Sequence, residues 1–272
     1  MIIISNRPGQ LGNLLFIYAH FLAYSLENNI TLLNPAFYQY RSYFSTTSAF
    51  SFSRTRVFYT FCYLCTRILI KLKIKTKFIN AIALDWGETV DLKKAPELKS
   101  DLCFAQGWLF RSDDLVNKYK ENIKVFFKPT KYYKNELSLF FKQKFSNSNE
   151  TKIAVHIRQG DYKNFENGKY YYSIDDYLNI IKNLAFIFKD KHPHFLICHN
   201  EKITLNEKEN PDLKITFAPG HELLDMYCMA TCDYIVGPPS TYSMWASFYG
   251  NAPLYMIKDL KKEINLDDFK IV

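Results

Sequence analysis

The chain is short of the residues that punctuate low-complexity and fibrous proteins. It holds 9 Gly and 10 Pro in 272 residues, which excludes a collagen-like or Pro/Gly-rich linker protein. Cysteine is also sparse: 6 residues, without the paired spacing of a zinc centre. Cys62 and Cys65 form one CxxC with neither a second CxxC nor a histidine pair to complete it, and Cys228 and Cys232 stand four apart on an expected helix, where cysteine acts as a small apolar side chain. Free thiols suit a reducing cytoplasm. No apolar run reaches the ~18 residues of a transmembrane helix. The opening MIIISNR lacks the basic start and apolar length of a secretory leader. The expected location is therefore cytoplasmic. Acid is in deficit too, with 27 Asp+Glu against 35 Lys+Arg and a net charge of +8. That balance favours anionic partners such as nucleotide phosphates, acidic membranes or nucleic acid. No RNP-like or helix-turn-helix signature supports the last of these, so no nucleic-acid partner is expected.

What the chain does have is apolar and aromatic residues, 48% and 17%, enough for one large core or two ordinary ones. Ile2–Ser5 reads as a buried strand, Leu11 to Leu26 as a helix, and Ile30–Leu33 as a second strand. After the polar run Phe145–Glu150 the pattern becomes regular. Strands are expected at 152–158, 194–198, 213–217, 234–236 and 253–257. Helices start at Ser173, Glu222 and Ser240, the first with acidic residues at Asp175 and Asp176 to cap it. Strands alternating with helices imply parallel sheets. The fold class is α/β, with two Rossmann-like domains, 1–148 and 149–272, facing a cleft. Residues 37–52, rich in Tyr, Phe and Ser, carry no assignable period. Residues 54–79 have two readings: a core-facing helix and strand with solvated lysines, which is preferred, or a segment lying on a membrane surface, since cations and aromatics interleave.

Four loops carry the chemistry. In KIAVHIRQGDY, Lys152–Tyr162, Ile153, Val155 and Ile157 alternate with more polar positions, so His156 and Arg158 stand at the end of a strand. In open α/β sheets that edge is where ligands bind. The Arg158 guanidinium is a planar fork suited to phosphate, and an edge-strand ion pair is the plainer alternative. Asp161 has three open roles: orienting that guanidinium, tying the turn, or acting as a base. The second loop, Pro8–Asn13, offers Gly12 and Asn13 at a helix N-terminus, where free N–H groups favour anions; it is not a GxGxxG fingerprint. The third, Gly237–Ala246, puts Ser240 at an N-cap with Thr241 beside it. The fourth, Cys198–Glu201, sets His199 and Asn200 where they read either a nucleotide base edge or nothing.

Taken together, these pieces resemble glycosyltransferase family 11, the α-1,2-fucosyltransferases, within the wider group of GDP-fucose-using transferases. Gly9–Ala19 reads GQLGNLLFIYA against a family loop like GGLGNQMFQYA. His156–Tyr162 reads HIRQGDY against HIRRGDY. Leu223–Ala246, LLDMYCMATCDYIVGPPSTYSMWA, is similar to the helix and loop ending in NSTFSWWA, and Gln106–Pro129 to a middle segment. The resemblance implies a GT-B-like fold, a GDP-sugar donor bound by the C-terminal domain, an N-terminal acceptor side, an inverting transfer and no metal. It implies that Arg158 binds the donor diphosphate, that Asn13 lies near the phosphates and sugar, and that Ser240 and Thr241 hold phosphate. The chain departs from the pattern at Gln159, which replaces a second arginine, at Pro238-Pro239, and at His199-Asn200, where the family tends to be acidic.

The expected activity is transfer of fucose from GDP-fucose to a hydroxyl of a cell-surface glycan. Two alternatives stay open: another nucleotide-hexose donor, or a non-catalytic nucleotide- or glycan-binding protein. The catalytic candidates are Arg158, Asp161 and His156. The donor-binding candidates are Gly12, Asn13, Arg158, His199, Asn200, Ser240 and Thr241. No metal or other cofactor is expected. The partners expected are a nucleotide sugar and an oligosaccharide or polysaccharide acceptor, with peripheral contact at the inner membrane face left open by residues 54–79.

Overall fold

A computed structural model describes residues 1–145, 147, 149–201 and 212–272. The chain forms two compact units, Met1–Lys131 and Tyr132–Val272.

In the first unit, β1 (Ile2–Ile4) leads into α1 (Leu11–Asn28) and β2 (Leu32–Leu33). Then come α2 (Arg56–Lys71), β3 (Ile79–Ala83), β4 (Thr89–Asp91), β5 (Leu102–Gln106), β6 (Leu109–Arg111), α3 (Asp113–Lys118) and α4 (Lys120–Phe126). A parallel sheet in the order β2-β1-β5-β3 forms its centre, and β4 and β6 make a separate parallel pair. The stretch 37–52 shows no period because it is a string of short 3-10 turns, held by ring edges instead of an amphipathic face. Tyr18 of α1 meets Phe37 and Phe127 edge-on, each at 5.4 Å between centroids, and Phe44 bridges to Pro129. Ser112 precedes α3, but its hydroxyl donates to the Asp114 carboxylate and caps no backbone N–H.

The helix and strand expected within 54–79 are present as α2 and β3. Thr55 caps α2, accepting from the Phe58 N–H at 3.2 Å. Cys62, Thr66 and Leu69 turn inward with Ala81 and Phe104, and the Thr66 hydroxyl meets that of Ser5 at 2.7 Å, tying the helix to the end of β1. The expectation of a core-facing helix with only its lysines in solvent holds for that stripe alone. A second apolar stripe, Val57, Phe61, Leu64 and Ile68, stands in solvent.

The second unit runs through α5 (Lys131–Lys144), β7 (Thr151–Ile157), α6 (Ile174–Ile187), β8 (Pro193–His199), β9 (Lys214–Phe217), α7 (Glu222–Ala230), β10 (Tyr234–Gly237), α8 (Thr241–Gly250) and β11 (Leu254–Met256). The polar run 145–150 lies inside this unit, at the end of α5, because that helix packs here: Tyr133 meets the His221 ring at 5.3 Å and Phe145 meets His194 at 4.2 Å. Ser146 and Ser148 of the run lie outside the described residues. The sheet is wholly parallel, in the order β11-β10-β7-β8-β9. Its central strand is buried on both faces from Ile153 to Ile157, as parallel sheets require. Ile153, Val155 and Ile157 pack with Tyr177, Ile180, Ile181 and Leu184, which recur at i, i+3, i+4 and i+7 on α6. Burying each of these large side chains contributes roughly 2 kcal/mol. The Ser173–Asp176 capping box starts α6 with reciprocal bonds of 3.1 and 2.8 Å. At the other edge of the sheet, buried Glu150 accepts from His194 at 2.9 Å and pairs with Lys214, joining the starts of β7, β8 and β9. No helix is long and apolar enough to cross a membrane among the described residues.

Candidate functional site

The order β11-β10-β7-β8-β9 makes the gap between β7 and β10 the place where the chain's winding reverses. In doubly wound sheets ligands bind outside the carboxyl ends of the strands at such a point. Two of the loops singled out from the sequence flank it: Arg158-Gln159-Gly160-Asp161 after β7, and Pro238-Pro239-Ser240 after β10.

Arg158 is held, not free. Its Nη2 donates to Asp161 Oδ2 at 2.9 Å, and its guanidinium carbon lies 5.6 Å from the centre of the Tyr162 ring. Its backbone N–H donates to the Tyr177 hydroxyl at 3.3 Å. Its Nε is buried and has no hydrogen-bond partner, which leaves one donor of a charged group unsatisfied, a costly arrangement for a buried cation. Asp161 is more than half exposed and orients the guanidinium from outside.

The loop after β10 is locked to the loop after β7 by Tyr162, a residue singled out from the sequence only as the last letter of its motif. Its hydroxyl donates to the Pro239 carbonyl at 2.6 Å. Burial pushes the Tyr162 phenol above its ordinary range, against the opposing pull of Ser240 and Arg158. Ser240 caps α8, its hydroxyl accepting from the Tyr242 N–H at 3.3 Å, and Thr241 opens the helix. No acidic residue occupies the first turn of α8, so no carboxylate of that turn offsets the partial positive charge of its N-terminus. Gly237 is a glycine for a packing reason. A Cβ there would stand 2.9 Å from the Cβ and 3.0 Å from the carbonyl oxygen of His156.

His156 sits beneath this loop and is buried, its ring 5.2 Å from that of Tyr242. Burial first, and the Arg158 charge second, lower its pKa to about 3. The imidazole is thus neutral at physiological pH, walled in by Gly237 and Tyr242. Gln159, the departure from the family pattern, is used structurally. Its side chain donates to the Tyr172 carbonyl at 3.3 Å, while its backbone N–H donates to Asn200 Oδ1 at 2.9 Å. Asn200 therefore ties the loop after β8 to the loop after β7, and that oxygen is already occupied. His199 Nδ1 lies 2.6 Å from the Glu201 carbonyl and its ring packs on Phe217. Gly160, at φ +48°, passes so close to this loop that a Cβ would meet Glu201 Oε1 at 2.7 Å.

At the end of β9 a group missed in the sequence appears. Asp225 of α7 is buried, and its Oδ1 accepts from the N–H groups of Gly220 at 2.9 Å and His221 at 3.3 Å. Burial raises its carboxyl to about 6, although those two N–H groups and His199 pull the other way. The signal available was an acid three residues into a helix after Pro-Gly, a pattern too common to single out.

In the first unit, Gly12 and Asn13 stand at the N-terminus of α1, after β1. Gln10 precedes that helix without a side-chain cap, and the first turn carries no acid. Gly9, at φ +82°, leaves room for the Asn13 amide, which would lie 2.2 Å from a Cβ at that position. Arg7, from the same loop, donates to the Tyr38 hydroxyl at 3.3 Å, lies 5.0 Å over that ring and bonds Gln39. A pocket of about 390 Å³, open mouth included, lies at the end of β2 among Asn34, Arg41, Thr47 and Arg54; none of the residues singled out from the sequence lines it. Among the described residues, no group of three His, Cys, Asp or Glu side chains gathers as metal ligands.

No protein-family model matches the sequence, and no curated protein matches it. Solved structures do match the fold. A mutant of Arabidopsis thaliana FUT1 in complex with GDP is 14% identical, with 99% of this chain and 73% of that one covered at a TM-score of 0.62. NodZ α-1,6-fucosyltransferase soaked with GDP-fucose is 14% identical, with 98% and 96% covered and a TM-score of 0.57. POFUT1 in complex with GDP is 12% identical, with 91% and 94% covered and a TM-score of 0.55. At this identity the likeness is one of fold: two Rossmann-like α/β units in the GT-B-like pattern of the fucosyltransferases.

Proposed function

We propose that the protein is an inverting glycosyltransferase that moves fucose from GDP-fucose to a hydroxyl of an oligosaccharide or polysaccharide, in the manner of the family 11 enzymes its motifs resemble. The observation that carries the reading is the unpartnered Nε of Arg158, held by Asp161 and Tyr162 beside the uncompensated N-terminus of α8. As the sugar–phosphate bond breaks, negative charge gathers on the departing diphosphate. A fixed guanidinium and a helix N-terminus stabilise that charge without reorganising, the largest single contribution in many enzymes. Arg158, Ser240 and Thr241 are assigned to the diphosphate. Gly12 and Asn13 are assigned to the donor on the chemistry of the α1 N-terminus.

Asp161 is assigned as the positioning partner of Arg158, and His156 as a neutral packing residue in place of a base. An oxocarbenium-like transition state asks little activation of the acceptor hydroxyl. His199 and Asn200 are assigned to the base only through groups their loop contacts leave over, such as Asn200 Nδ2. This altered loop favours one second reading, a donor whose base or sugar differs from GDP-fucose.

Calorimetry with GDP, GDP-fucose, GDP-mannose and UDP, on the wild type and Arg158→Ala, tests the assignment. GDP and GDP-fucose are expected to bind, with affinity falling about 10- to 100-fold in the variant, the contribution of one charge-assisted hydrogen bond. Preference for UDP would select the second reading. Undiminished GDP binding by Arg158→Ala would end the proposal.

A further inference from the structure

We propose that the outer face of α2 docks the protein on a bilayer surface rich in anionic lipid. Helix α2 carries two apolar stripes. The inner one, with Cys62 and Leu69, packs in the core of the first unit. The outer one is Val57, Phe61, Leu64 and Ile68, at i, i+4, i+7 and i+11, and these side chains are 69, 60, 54 and 55% exposed. A helix of this length that is apolar on two sides is normally buried. Here the second stripe is open and extends at both ends. Phe52, 61% exposed, meets Phe58 at 5.6 Å, and Phe58 meets Phe61 at 6.4 Å; Leu72, just past the helix, is 62% exposed.

The charge around the stripe says what covers it. Residues 54–79 contain seven Lys and Arg and not one Asp or Glu. Arg54 is spent on the carbonyls of Thr47 and Ala49, and Lys75 pairs with Glu97. Arg56, Arg67, Lys71, Lys73 and Lys77 are exposed along the helix and the turn after it. A second copy of the chain would bring the same cations to the same face, where like charges repel. An anionic headgroup layer matches both features: the apolar stripe enters the acyl boundary while lysines and arginines meet lipid phosphates. Each cation near such a surface strengthens binding about fivefold, and salt screens the effect.

The test is co-sedimentation of the full chain with vesicles of phosphatidylcholine alone and of phosphatidylcholine mixed with phosphatidylglycerol. Partition onto the mixed vesicles is expected to be at least about tenfold stronger. It should fall about tenfold or more in Phe61→Ser/Leu64→Ser, whose side chains are exposed in the folded protein. Should that variant unfold, Lys71→Gln/Lys73→Gln reads the same surface through charge alone and is expected to lose at least about tenfold on mixed vesicles. Equal partition onto both vesicle types, full binding by either variant, or a wild-type dimer that Phe61→Ser/Leu64→Ser converts to monomer would overturn the proposal, the last by giving the face to a second copy.

Discussion

Replacing Asp225 by asparagine should change the pH dependence of stability in a way only a buried carboxylate explains. The wild-type carboxyl is raised from 3.8 to about 6 by burial. Below about pH 3 the group is protonated in folded and unfolded chains alike. Between pH 4 and pH 6 the unfolded chain releases its proton while the folded one keeps it, so stability falls as pH rises. The loss levels off above the folded value. A difference of about 2.2 pKa units corresponds to about 3 kcal/mol. The amide of Asp225→Asn would keep the oxygen that accepts from Gly220 and His221 but carry no titrating proton. Its new NH2 group brings a fixed offset that does not vary with pH. Comparing urea unfolding of both proteins at pH 4, 5, 6 and 7 removes that offset, and also cancels the titration of His156 and the other groups the two proteins share. The difference between the two curves should move by about 2.4 kcal/mol in favour of the variant from pH 4 to pH 7, the remainder of the full amount falling below pH 4. Parallel curves would refute the reasoning, because they would mean that Asp225 ionises as freely folded as unfolded.

Two further substitutions probe how the loops at the carboxyl edge are held. Tyr162→Phe removes the bond to the Pro239 carbonyl, and should cost about 1–2 kcal/mol in urea unfolding while weakening GDP binding severalfold in calorimetry; unchanged affinity would show that the two loops keep their places without it. Gly237→Ala drives a methyl group into the His156 backbone. A loss of about 1–3 kcal/mol is expected from the forced shift, together with weaker GDP binding as Pro238–Ser240 move; a stable variant with wild-type affinity would contradict the packing described here.

The sequence by itself determined the local elements and the residue at the centre of the candidate site. Alternating β-branched residues located β7, β8 and β10 to within a residue or two, Ser173 with Asp176 set the start of α6, and Arg158 followed from being an arginine at a strand's end. These are short-range signals, set by the pleat period and by capping within a turn. Which strands are neighbours could not be read this way. The pairing of Ile153 with Tyr234 joins residues far apart in the chain, and it is this pairing that brings Ser240 to the same edge as Arg158. Tertiary burial also decided the chemistry of groups whose names alone were ambiguous. His156 is neutral because Gly237 and Tyr242 close over it, Asp225 is raised because the core surrounds it, and Gln159 and Asn200 spend hydrogen-bonding groups on loop contacts. For α2, helical periodicity was legible, but two apolar stripes at that period look the same in sequence. Only the packed structure separates the stripe that reaches β3 and β5 from the one left in solvent, because burial depends on what the rest of the chain places against each face.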